Sequence, residues 1–399
     1  MNQSYQLYNL IFHIMQDTEY TPKWNYQKEP FLEAEGLHDI PFRHCLFSGI
    51  SSSALKQLFE AFEEKQRHNI HGLLVVHKGR CIFEKYAAPY RKQYRHVSYS
   101  MCKSVVSMAV GLAIDDKKLS LDTRVCDLFP EYLPQKKSKE LKELTVYHLL
   151  TMEAGVCFSE LSQAFSTDWV KSYLRADFMF APGEGFYYNS LNSYILCAAL
   201  QKVYGESVMA LLHRRIFTPL NIYDITWDTC PRGIEKGGFG MKLSLHDMAK
   251  LGLLYMNRGV WYGTSHKKAQ RLLSEAYVTA ATKKQAATDN KGFDYGFHCW
   301  VMEDGFLFNG MLGQNVYVFP KQELIIATQS GSESFLPTTE MMAEIRRFVY
   351  GCRVGEKFRA GQKRPAVDKE NQCGRKMADE KTEPGGADDS ERREFMENY

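Results

Sequence analysis

Apolar residues first fall into a helical rhythm at Leu55, Leu58, Phe59 and Phe62, behind Ser51-Ser52-Ser53. This predicts an amphipathic helix with a serine N-cap. Two apolar-rich runs, 72–77 and 80–86, flank Lys78-Gly79 and predict a β-hairpin. A different pattern follows from about 98 to 116, where Val105, Val106, Met108, Ala109, Val110, Leu112, Ala113 and Ile114 leave almost no polar face. A helix that is apolar all round is a buried one. From 119 the chain turns to short helices and loops, with helical signals at 146–151, 193–204, 207–216 and 245–256, the last capped by Ser244. Pro182-Gly183 marks a turn. Strand patterns return at 295–302, 306–309, 315–319 and 324–329, and a last amphipathic helix is predicted over 337–350.

Strands therefore occupy both ends and helices the middle. The expected class is α+β: one antiparallel sheet built from both ends and flanked by helices, plus a mostly helical lobe, with a ligand cleft between them. The corresponding division is an N-terminal extension at 1–36 and a main domain at 37–351. In that domain the sheet lobe covers about 50–118 and 285–350, and the helical insert about 119–284. Residues 352–399 carry dense charge of both signs and few large apolar residues, a composition expected to be disordered.

Composition removes several classes of function. A net charge of +3 over 399 residues gives no case for a nucleic-acid or membrane surface. The ten cysteines form no CxxC pair, and the twelve histidines show no metal-ligand spacing, so neither a metal nor another cofactor is expected. The apolar run at 8–15 lacks a basic n-region and a cleavage site, and no segment is long and apolar enough to span a bilayer. The expected location is the cytoplasm, with thiols reduced.

The chemistry concentrates at Ser100 and Lys103, three apart at the start of the buried helix. That spacing sets both side chains on one face. A serine hydroxyl is a weak nucleophile until a neighbour takes its proton, and a lysine that has lost its charge can do so. The same spacing recurs at Ser53–Lys56, which reads as a cap and a solvated lysine, so the pair alone decides little. A second stretch, Pro182-Gly183-Glu184-Gly185-Phe186-Tyr187-Tyr188-Asn189-Ser190, can present a phenol to a cleft as base or proton relay. A third, Asn309-Gly310-Met311-Leu312-Gly313-Gln314, places glycines within a strand pattern, where backbone approaches something closely. Its bland alternative is a turn or bulge, and that of the tyrosine stretch is an aromatic packing cluster.

Taken together, these stretches resemble the serine β-lactamase and penicillin-binding-protein superfamily, in the branch holding class C β-lactamases, D-Ala-D-Ala carboxypeptidases, esterases and 6-aminohexanoate-oligomer hydrolases. The likeness runs from about 46 to 350 and includes Gly111-Leu112-Ala113-Ile114-Asp115-Asp116, His148-Leu149-Leu150-Thr151-Met152 and Gly237-Gly238-Phe239-Gly240-Met241. The resemblance implies Ser100 as the acylated nucleophile, Lys103 as its base and Tyr188 as proton carrier, with Tyr187 the alternative register. It implies an oxyanion site from the N–H groups of Ser100 and Met311, and substrate contacts from Asn189, Ser190, Gly310 and Gly313. Ser190 stands where many members have asparagine. No Lys-Thr-Gly or His-x-Gly triplet is present, and Leu307 and Phe308 occupy that neighbourhood. A small ester or amide thus fits better as substrate than a β-lactam or a D-Ala peptide. A non-catalytic binding protein of the same fold and a D-Ala-D-Ala carboxypeptidase are the alternatives. Cys102 is expected to be packed away from the cleft, and His298 and Trp300 to serve as core or wall.

Overall fold

The computed structural model describes residues 40–351 apart from 44, 46–47, 65–67, 135–137, 159–165, 263–268, 291 and 333–336. The extension at 1–36 and the tail at 352–399 lie outside the described residues.

The chain opens with α1 (Ser52–Glu64), β1 (Ile70–His77), β2 (Arg80–Tyr86) and β3 (Arg95–Val97). A 3₁₀ turn, Tyr99–Met101, leads into α2 (Cys102–Asp115). Then come α3 (Val125–Leu128), α4 (Lys139–Glu143), α5 (Val146–Leu150), α6 (Trp169–Leu174), α7 (Ser190–Tyr204) and α8 (Val208–Leu212). After β4 (Thr226–Trp227) and β5 (Met241–Ser244) follow α9 (Leu245–Met256), β6 (Val260–Trp261), β7 (Gln270–Arg271) and α10 (Glu275–Ala281). The chain closes with β8 (Asp294–Tyr295), β9 (Trp300–Val301), β10 (Phe306–Gly310), β11 (Gln314–Phe319), β12 (Leu324–Ser330) and α11 (Pro337–Gly351).

Seven strands form one antiparallel sheet in the order β2-β1-β12-β11-β10-β9-β8, so the N-terminal hairpin joins strands from the other end of the chain. Lys78 and Gly79 both have positive φ, the conformation a two-residue hairpin turn requires. Successive side chains of a strand face opposite sides, and here both sides are covered. Leu73, Val75, Tyr317, Phe319, Leu324 and Ile326 belong to one buried cluster with Leu55, Phe59 and Phe62 of α1 and Met341, Ile345 and Phe348 of α11. Their neighbours Leu74, Val76, Val316, Val318, Ile325 and Ala327 belong to the other, with α2, α7 and α9. Burial on both faces explains why these strands read as apolar runs rather than alternating ones.

Helix α9 lies directly on the sheet: a Cβ on Gly252 would stand 2.6 Å from Val316. It falls within the sequence range assigned above to the helical insert, yet packs on the sheet. The strand expected over 295–302 is broken into β8 and β9, and His298 between them has φ +52°. The helix expected over 207–216 starts on its Ser207 cap but gives way after Leu212 to a wider π-turn, His213–Phe217. A three-stranded sheet, β3-β5-β4, stands beside the main one.

Candidate active site

The turn ahead of α2 is held from two sides. Ser98 donates through both its N–H (2.8 Å) and its hydroxyl (3.0 Å) to the carbonyl of Met241, extending the β3–β5 pairing. On the other side Gly310 runs so close that a Cβ there would sit 2.1 Å from the Ser98 carbonyl oxygen. Only glycine allows that approach. Between them Tyr99 takes φ +47°, a conformation that costs a non-glycine residue about 1–2 kcal/mol. Such strain persists where the surroundings over-determine it, and it often marks a functional site.

Ser100 sits half-buried in this turn, and Lys103 is buried one turn on in α2. Lys103 Nζ donates to Ser100 Oγ at 2.8 Å and to the Gly238 carbonyl at 2.9 Å. It also lies 4.7 Å from the centre of the Tyr188 ring. Tyr188 is itself buried and stacked on Trp300, with ring centres 5.8 Å apart and an interplanar angle of 15°. The stretches that carry the serine, the lysine and the tyrosine thus meet, and Trp300 fixes the plane of the phenol.

The Gly237-Gly238 backbone approaches α7 tightly. A Cβ on Gly238 would be 2.5 Å from Ser190 Cβ, and one on Gly237 would be 2.6 Å from the Ser193 carbonyl. Ser190 is therefore buried against Gly238, under the carbonyl that holds Lys103. Asn189 is occupied elsewhere. Its Nδ2 donates to the carbonyls of Val156 (3.2 Å) and Phe158 (3.1 Å), and its Oδ1 accepts from Leu191 N–H (2.9 Å) as the cap of α7. The amide expected to meet substrate instead ties a loop to a helix start. Gly313, with φ +88°, is wedged against Ser330 and gives its carbonyl to Thr328 Oγ1 at 2.9 Å. Its place is in turn geometry, three residues beyond Gly310.

Behind the pair, His298 is fully buried and bridges two helices. Ser104 Oγ donates to its carbonyl at 2.7 Å, and its Nε2 pairs with Ser193 Oγ at 2.9 Å. Burial, and then the nearby Lys103 charge, lowers its pKa to about 3, so its imidazole is neutral at pH 7. Cys102 is buried and donates to the Gly237 carbonyl at 3.1 Å; burial pushes its thiol up to about 12. Leu307 and Phe308 are buried in β10, and Tyr255 packs edge-on against Phe308. The position at which a cationic triplet would stand is thus apolar core. Ser53 and Lys56, the other copy of the motif, are both exposed on α1.

Two contributors had no part in the chemistry read from the sequence. The Gly238 carbonyl was present within a glycine-rich segment, but a backbone acceptor leaves no residue-type signal. Trp300 was visible as a wall, and its stacking partner depends on the break between β8 and β9.

An antiparallel sheet flanked by helices, with a serine and a lysine at the head of a buried helix, defines the β-lactamase/transpeptidase-like fold. The chain belongs to the beta-lactamase family, whose model matches residues 55–347. It is 24% identical over 296 residues to the 6-aminohexanoate-dimer hydrolase of Paenarthrobacter ureafaciens, covering 64% of this chain and 71% of that one. It is also 24% identical over 173 residues to esterase EstB of Burkholderia gladioli, covering 39% of this chain and 44% of the esterase. The match thus spans under half the length of the esterase. Among solved structures it resembles EstCE1, a hydrolase with promiscuous acyltransferase activity, with a TM-score of 0.62 at 18% identity over 75% of this chain and 99% of that one. At that identity the likeness speaks for the fold. Among the described residues no single helix is long and apolar enough to cross a membrane.

Proposed function

We propose that the protein is a serine hydrolase of small esters or amides that works through an acyl-enzyme on Ser100. The observation that carries this reading is Lys103 Nζ, 2.8 Å from Ser100 Oγ, with the Tyr188 ring over it. In the proposed cycle Lys103, in its neutral amine form, takes the Ser100 proton as Oγ attacks the substrate carbonyl carbon. The carbonyl oxygen gains the electron pair, and the N–H groups of Ser100 and Met311 stabilise it. Collapse breaks the bond to the leaving group, which receives the proton through Lys103 and Tyr188. Water then attacks the acyl-enzyme carbonyl, loses a proton to the same pair and releases the acid, and Ser100 Oγ is reprotonated.

The two glycine contacts support this geometry. Gly310 brings Met311 beside the Ser98–Ser100 turn, and Gly238 supplies the carbonyl that steers Lys103. Apolar burial at Leu307 and Phe308 favours esters and amides without a carboxylate at that position. The cytoplasm is the proposed location, on a sequence whose ten cysteines are scattered without CxxC pairs, as suits a reducing compartment.

The test is covalent. A broad serine-reactive phosphonate should add one equivalent to the wild type by intact mass, and a short-chain aryl ester should turn over. Ser100→Ala should abolish both, and Lys103→Ala should slow phosphonylation by about 100-fold or more, the scale of a lost general base. An adduct on another residue, or none, would overturn the proposal.

A further inference from the structure

Tyr188 lies between two residues whose N–H groups are both held by one methionine. Tyr187 N–H donates to the Met152 carbonyl at 2.8 Å, and Asn189 N–H donates to Met152 Sδ at 3.4 Å. The same sulfur accepts a second donor, Asn192 Nδ2, also at 3.4 Å. Asn192 is itself fixed, because its Oδ1 accepts from the Tyr173 hydroxyl at 2.7 Å. Among the described residues neither the Asn189 N–H nor the Asn192 side-chain amide has another acceptor.

A thioether is a weak acceptor, and methionine ordinarily packs as a flexible hydrophobe. Met152 is fully buried in the same apolar cluster as Tyr188, so leucine, close to it in volume, would fill the space as well. What leucine cannot do is accept a hydrogen bond. It would leave two buried donors unpaired, which is costly. The backbone points the same way. Met152 takes φ +62°, a left-handed conformation that a non-glycine residue keeps only where its surroundings over-determine it. The strained residue turns both its carbonyl and its sulfur to the segment 187–189.

A working phenol needs both its plane and its reach fixed. The Trp300 stack sets the plane of the Tyr188 ring. A stack resists tilting but lets a ring slide within its own plane, the direction in which the hydroxyl gains or loses reach. Reach is set by the backbone from which the ring hangs. Resting on the hydrolase reading above, we infer that Met152 is the positioning residue for Tyr188. Its carbonyl and its sulfur hold the chain on either side of the tyrosine, so that the hydroxyl stays within proton-transfer distance of Lys103 and the leaving group.

The measurement is a double-mutant cycle on the turnover of an aryl ester, with kcat counted per phosphonate-titrated Ser100 so that unfolded protein does not enter. Met152→Leu should still fold, since the two side chains exchange with little change of volume. It should lower kcat by about tenfold or more, as a reacting group misplaced by up to about 1 Å costs up to about 100-fold. KM should stay within about twofold, the pattern of an interaction made only in the transition state. In a Tyr188→Phe background, Met152→Leu should lower kcat no further, because the hydroxyl that it places is gone. A purely structural methionine would cost the same factor in both backgrounds. That result, or a wild-type kcat in Met152→Leu, would overturn the inference. Labelling of the wild type separates the two claims. If Ser100 is labelled and Met152→Leu keeps the wild-type kcat, only the role of Met152 falls; if Ser100 is not labelled and the ester is not turned over, the hydrolase reading and this inference fall together.

Discussion

Lys103 donates to the carbonyl of Gly238 at 2.9 Å, across 135 residues of sequence. The bond ties α2, the helix that follows Ser100, to a loop whose own position depends on having no side chain. A Cβ on Gly238 would stand 2.5 Å from Ser190 Cβ and 2.9 Å from the Ser190 carbonyl oxygen, both on α7. Gly238→Ala must therefore move the loop, the helix or both. The expected result is a folded enzyme with kcat/KM on an aryl ester down about 10–100-fold, equivalent to about 1.4–2.7 kcal/mol of barrier. Melting should also fall, since overpacking of this kind costs about 1–3 kcal/mol. Steady-state kinetics and a thermal melt on the same preparation check both effects. Wild-type kinetics in Gly238→Ala would show that the carbonyl does not steer Lys103.

Tyr187 and Tyr188 are adjacent, and a single hydroxyl deletion in each separates them. The Tyr188 ring faces Lys103 and stacks on Trp300. Tyr188→Phe preserves that stack and removes only the hydroxyl proposed as proton carrier. Its kcat should fall by about 10²–10⁴, the usual range for general acid–base groups, with little change in melting temperature. Tyr187→Phe should stay within a few-fold of wild type. A reversal of the two effects would move the proton relay to Tyr187.

Much of this arrangement was legible before any coordinates. The hairpin at Lys78-Gly79, the all-apolar α2 and the buried strands β10 to β12 followed from local rules of turn chemistry and periodicity. The meeting of the Ser100, Lys103 and Tyr188 stretches was legible from their order along the chain, which matches a known pattern; residue type alone, in a chain with 23 tyrosines, would not have singled them out. Asn189 shows why residue type was not enough. Its amide could serve substrate or backbone, and only the path of the 156–158 loop makes it the partner of two carbonyls. The split of the expected 295–302 strand was hidden for a similar reason. Tyr295 and Trp300 keep a strand-like pattern, while His298 takes a left-handed conformation because its N–H bonds to Leu150 O (2.9 Å) and its ring to Ser193.

His298 should make stability depend on pH. Its folded pKa, lowered to about 3 by burial and then by Lys103, lies below its unfolded value of about 6.5. Between those values the unfolded chain binds the extra proton. Stability from this group is therefore complete above pH 6.5 and is lost as pH falls. The slope is at most about 1.4 kcal/mol per pH unit. His71, lowered to about 4, acts with the same sign, whereas burial raises Asp228 and Glu235 and gives them the opposite sign. A difference measurement isolates His298. His298→Asn suits the left-handed backbone, since asparagine tolerates φ near +52°, and it does not titrate. Urea unfolding at pH 6.5 and pH 5 should show the wild type losing about 1.6 kcal/mol more than His298→Asn over that interval. If the gap between the two proteins stays constant, His298 takes up its proton in the folded state as easily as in the unfolded one, and its burial beside Lys103 would no longer explain why it is neutral.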